Sequence, residues 1–111
     1  MDNFRMALNS TCTSKSIIDK IEQAGLLPGV NNPVYSDILV ALSDIGYICY
    51  AVPVESLASA SGMAWCPEVV YRKNGDAELK KLSFPYFLSI HHAGAIEDAI
   101  EASLDIILDK N

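Results

Sequence analysis

Ile96-Glu-Asp-Ala-Ile-Glu-Ala-Ser-Leu-Asp-Ile-Ile-Leu108 is the stretch that decides the fold. Ile96, Ala99, Ile100, Ser103, Leu104, Ile107 and Leu108 occupy positions i, i+3, i+4, i+7, i+8, i+11 and i+12, and six of the seven are apolar. This spacing predicts an amphipathic helix over 95–109 with one stripe to bury. The stripe needs a large apolar surface, and the aromatic segments upstream offer the only one.

Working back from the helix, His91-His92 follows Phe84-Pro-Tyr-Phe-Leu-Ser-Ile90, where Tyr86, Leu88 and Ile90 alternate with Phe87, Ser89 and His91. With a start near Ala77, this reads as a returning strand bent at Pro85. Lys73-Asn74-Gly75-Asp76 precedes it, and Asn-Gly tolerates the positive φ that a tight hairpin turn requires at both central positions. The strand entering that turn is Trp65–Tyr71, interrupted at Pro67. Tyr47-Ile-Cys-Tyr-Ala-Val52 is another strand, apolar on both faces, with Pro53 marking its end or a free edge. The small polar run 55–62 joins the two.

Two helices come first. Ile17, Ile18, Ile21 and Ala24 form a helical stripe over about 15–24, opened by Ser16 with Asp19 as a loose capping box and stopped by Gly25. A linker, Leu26 to Pro33, leads to a second helix in which Asn32 caps, Pro33 takes the first position, and Val34, Ile38, Leu42 and Ile45 share a stripe. Gly46 ends it. The predicted architecture is a single α+β domain over 1–111 in the order α-α-β-β-β-α. An antiparallel meander of three or four strands carries its helices on one face, and residues 1–14 form an N-terminal arm.

The composition suits such a domain. At 111 residues and 50% hydrophobic, scaling relations give about 6,000 Å² of folded surface against about 17,500 Å² unfolded, enough burial for a core without disulfides or metal. No apolar run approaches a membrane span. Eight Lys and Arg face fourteen Asp and Glu, a net charge of −6, which repels a phosphate backbone and argues against nucleic acid as a partner. Cys12, Cys49 and Cys66 are odd in number and form no CxxC, as expected for reduced thiols in the cytoplasm. The N-terminus carries neither a secretory signal nor a lipidation motif.

Few residues suggest chemistry. Glu97, Glu101, Asp105 and Asp109 recur every fourth residue, with Asp98 alongside, as an acidic ridge opposite the apolar stripe. It is either a solvated face or a surface for a basic partner; a single row is a poor cation site. Neighbouring His91 and His92 would point to opposite faces of a strand, so one metal would not hold both. Cys66, between Trp65 and Pro67, could serve as a nucleophile if a histidine activated it, but no predicted feature lowers its pKa. Cys49 reads as core. The aromatic residues, Tyr50 and Phe87 among them, leave the sheet face away from the helices apolar, a surface for a partner or a second copy. No phosphate loop, GxSxG or HExxH is present, and neither a metal nor a cofactor is expected.

From Asn32 to Leu108 the helix-strand-strand-strand-helix order resembles the double-stranded RNA-binding domain. That family grips phosphates with a basic motif at the start of its last helix, where this chain has Gly94-Ala-Ile-Glu-Asp-Ala-Ile-Glu101. Ile96-Glu-Asp-Ala-Ile-Glu-Ala-Ser-Leu104 is also similar to the terminal helix of small phage and prophage proteins with a helix, a short aromatic meander and a last helix. That resemblance supplies no activity or site residues.

The expected function is a non-enzymatic protein-interaction module that pairs as a homodimer, with Tyr50, Phe87, Glu97, Glu101, Asp105 and Asp109 as interaction residues. The alternatives are a small hydrolase using Cys66 with His91 or His92, and an acidic mimic of nucleic acid. In the mimic, the ridge presents one charge about every 6 Å along the helix.

Overall fold

The computed structural model describes residues 10–72 and 78–109. Helix α1 spans Lys15–Gln23 and α2 spans Tyr35–Asp44. Strands β1, Tyr47–Glu55, β2, Met63–Tyr71, and β3, Lys80–Ser83, form one antiparallel sheet in the order β1-β2-β3. A 3₁₀ turn at Pro85–Phe87 leads to α3, His92–Leu108. The order is the predicted one, with three strands. The Asn74-Gly75 turn lies outside the described residues.

Strand β2 runs unbroken through Pro67, against expectation, and β1 passes Pro53 on a free edge, one of the two readings that proline allowed. In an antiparallel strand both backbone groups of a residue face the same neighbour, and successive residues alternate. Phe84 N–H donates to Pro67 C=O at 3.0 Å, so Pro67 faces β3. There the paired ladder ends at Glu68–Ser83, and no bond to β1 is lost. Pro53 pairs with Trp65, an odd-numbered position that also faces away from its β1–β2 partner, so its missing N–H falls on the open edge of β1. Both strands therefore pass through their prolines uninterrupted.

The other shifts concern ends. Ser14, not Ser16, caps α1, its Oγ accepting from Ile17 N–H at 3.3 Å. Helix α2 starts at Tyr35, because residues 10–12, at the end of the predicted arm, pair with 33–35: Cys12 N–H donates to Pro33 C=O at 2.8 Å and Tyr35 N–H to Ser10 C=O at 3.1 Å. At the end of α2, Gly46 adopts φ +95°, and a Cβ there would lie 3.2 Å from the Arg72 carbonyl oxygen. The returning strand stops at Ser83, and Ser89 then rejoins β2 through paired backbone bonds with Trp65. Helix α3 begins three residues earlier than predicted, at His92. His91 N–H donates to Ser89 Oγ, and Gly94 leaves room for that hydroxyl, which a Cβ would approach to 2.8 Å.

The three described helices lie on one side of the sheet. Ile17 and Ile21 of α1, Ile38 and Leu42 of α2, and Ile96, Ala99, Ile100 and Leu104 of α3 meet Tyr47, Val69 and Tyr71 in one core. The Tyr47 and Tyr71 rings, directly opposite in the ladder, stack with centroids 5.2 Å apart. Ser103, the polar member of the α3 stripe, is fully buried and satisfied. Its hydroxyl donates to Ala99 C=O at 3.1 Å and meets the Cys49 thiol at 2.9 Å. Burial, partly offset by this hydroxyl, pushes the Cys49 thiol up to about 11, which keeps it protonated in the core.

Candidate functional site

Helix α3 packs over β1 and β2. The strip of sheet next to it, over β3, is left as a groove of about 460 Å³. Its apolar lining comes from Pro67, Leu82, Phe84 and Phe87 on one side and Ala102 and Ile106 of α3 on the other. Pro67 sets up this floor: with the ladder ended beside it, the chain leaves the sheet at Phe84 and turns through Pro85–Phe87. The Phe84 and Phe87 rings come to 6.5 Å centroid separation, and Phe87 remains 60% exposed.

Four carboxylates of α3, Asp98, Glu101, Asp105 and Asp109, line the same groove. Lys20 of α1 reaches two of them, 2.8 Å from Glu101 and 2.7 Å from Asp105. Hydrogen bonds from Lys20 and Ser16 hold the Glu101 carboxyl below its usual range, against the opposing effect of burial. Hydrogen bonds to Asp105 and Glu101 raise the Lys20 ammonium in turn. Among the described residues, no cation pairs with Asp98 or Asp109. Burial and the negative charge of Glu97 and Glu101 push the Asp98 carboxyl up.

Of the six residues singled out in the sequence, Phe87, Glu101, Asp105 and Asp109 converge on this groove. Glu97 does not, because it accepts a hydrogen bond from the Tyr35 hydroxyl of α2. Tyr50 lies on the opposite face of the sheet. There it stands in the ladder opposite Glu68, whose Oε2 accepts from the Ser83 hydroxyl at 2.8 Å and whose Oε1 lies 3.5 Å from Lys81 Nζ. Burial opposes ionisation of Glu68, but the Ser83 and Tyr50 hydroxyls and Lys81 outweigh it and hold the carboxyl below its usual range. Around this polar cluster the face is apolar, with Ile48 beside Val70 and 48% exposed.

Asp98, named only alongside the ridge, and Ala102, Leu82 and Phe84 were not among the six interaction residues. Asp98, Ala102, Asp105 and Asp109 do share a helical side at i, i+4, i+7 and i+11, a second stripe beside the dominant one that would have identified the wall. Leu82 and Phe84 gave no such signal, since their place depends on where β3 ends.

The thiol and imidazole positions also differ from a strand reading. His91 and His92 stand at the start of α3, and the His92 ring stacks on Trp65 at 4.1 Å. Trp65 and Cys66 are adjacent in β2, so their side chains leave opposite faces. Cys66 is buried, and its thiol points toward Pro67 C=O at 3.7 Å. Among the described residues, no group of three or more His, Cys, Asp or Glu side chains is placed to hold a metal ion, and no helix is long and apolar enough to cross a membrane. Comparison with protein-family models, curated proteins and solved structures finds no match to this chain.

Proposed function

We propose that this protein is a non-catalytic interaction module that binds another polypeptide in the groove beside α3. The observation that carries this reading is the combination of exposed apolar side chains, Phe87 and Leu82 foremost, with a row of carboxylates along one wall. An apolar floor supplies affinity, and a charged rim selects the partner and speeds encounter. The catalytic alternative draws little support from Cys66 and His92, which lie toward opposite faces of β2. The nucleic-acid mimic draws less than its sequence suggested: Lys20 and Tyr35 engage three of the four ridge carboxylates, so no free row at phosphate spacing is presented. All three cysteines are free thiols, which supports a reducing, cytoplasmic setting.

The test is cross-linking in the native host with the whole chain. A partner recovered with wild type and with Ile48→Lys, but lost with Phe87→Asp, supports the groove. Recovery unaffected by Phe87→Asp overturns it.

A second reading, self-association as a homodimer, is favoured by the sheet face away from the helices, where Ile48 is exposed beside Val70 and, among the described residues, no helix packs. Sedimentation at increasing concentration distinguishes it. A dimer dissolved by Ile48→Lys supports this surface, and a strict monomer rejects it.

A further inference from the structure

We infer that the groove receives an amphipathic, lysine- or arginine-flanked α-helix from a partner protein. The inference rests on the interaction-module reading and names its ligand. Neighbouring helices pack about 8–10 Å apart, and two strand spacings cover about the same distance. A helix laid beside α3 therefore falls over β3, where Leu82 and Phe87 are exposed and Phe84 is half-buried. Among the described residues, no helix packs on this strand.

The charges set the rest of the match. Lys20 serves Glu101 and Asp105 from α1, leaving Asp98 and Asp109 at the two ends of the wall. Eleven residues of helix separate them, about 16 Å or three turns. The ligand they select carries cations about three turns apart, along one edge of its apolar stripe. The last turn of α3 contains no basic residue, yet Asp105 and Asp109 lie at the negative end of its dipole. A cation from the partner relieves both unfavourable terms there. Burial of Asp98 and its crowding by Glu97 and Glu101, which disfavour its charge, point the same way.

The test uses the whole chain and two synthetic 18-residue helical peptides with identical leucine stripes, one flanked by lysine and one by glutamate. Fluorescence anisotropy measures affinity, and amide chemical shifts locate the site. The lysine peptide should bind and shift the amides of Leu82, Phe87, Ala102 and Ile106. The double variant Asp98→Asn/Asp109→Asn should weaken it roughly fivefold, while Asp19→Asn/Asp44→Asn, which removes equal charge elsewhere, should not. Equal binding of both peptides, or equal loss in both double variants, overturns the inference. So does a peptide bound as an added strand along Lys80–Ser83, a groove filled by a second copy, or a groove that opens only when residues 1–9 are deleted. If the lysine peptide fails while host cross-linking still depends on Phe87, the helical ligand is wrong and the module reading stands. If both fail, both fall.

Discussion

The two flanks of α3 carry the same kind of residue and treat it differently. Toward α1 and α2, carboxylates are used up inside the molecule: Glu97 by the Tyr35 hydroxyl, Glu101 and Asp105 by Lys20. Toward β3, Asp98 and Asp109 stand without a cation among the described residues, above apolar side chains left half open. An acid on the first flank is a strut between helices, and one on the second is a contact offered outward. The difference lies in what packs opposite each flank.

Substitutions separate these roles. The largest effect belongs to the stripe beneath both flanks: Leu104→Ala, at a fully buried site, should cost about 2–5 kcal/mol in urea unfolding, because the lost apolar contact leaves a cavity. A loss below about 1 kcal/mol would mean that α3 is not seated on the sheet. On the inner flank, Lys20→Met should cost about 0.2–1 kcal/mol, as expected for a partly exposed pair, with a defined pH dependence. The Glu101 carboxyl is held below its ordinary 4.5, so its contribution is complete above pH 4.5 and fades as pH falls through the folded value. The Lys20 ammonium is raised above 10.5, so its contribution is complete below pH 10.5 and is lost as pH rises through the folded value. The gap between wild type and variant should therefore be flat between these limits and close at both ends; a gap that persists in acid would deny the ion pair.

On the outer flank, Phe87→Ala should change stability by no more than about 0.5 kcal/mol, since the ring is largely exposed. A larger loss would make Phe87 part of the core instead of the groove. The smallest effect is expected at Asp98. Its carboxyl is raised above the ordinary 3.8, so the folded state disfavours the ionised form. Asp98→Asn should raise Tm by about 1–2 °C at neutral pH, and the gain should vanish as pH falls below 3.8. A loss of stability would reveal a partner for Asp98.

Much of this arrangement was legible in the chain because it is local. The period of Ile96 to Leu108 predicted α3, and the β-branched run Tyr47–Val52 predicted β1. The change of period at Gly46 marked the one place where the backbone takes φ +95° against the Arg72 carbonyl. Pro53 sits on the free edge, one of the two places its type allowed, whereas Pro67 misled for a reason that is not local: whether a missing N–H matters depends on which neighbour the position faces, and Pro67 faces a finished ladder.

The candidate site divides along the same line. Hydrophobic spacing and the repeat of acids every fourth residue settled that the last helix would have a buried face and a charged one. Such periodicity describes one helix at a time, and it is silent about distant neighbours. Only the tertiary structure brought Lys20 to Glu101, 81 residues away, and Tyr35 to Glu97, 62 residues away. Only the packing of α3 over two strands of three brought Asp98 and Asp109 to the rim of an apolar groove over β3.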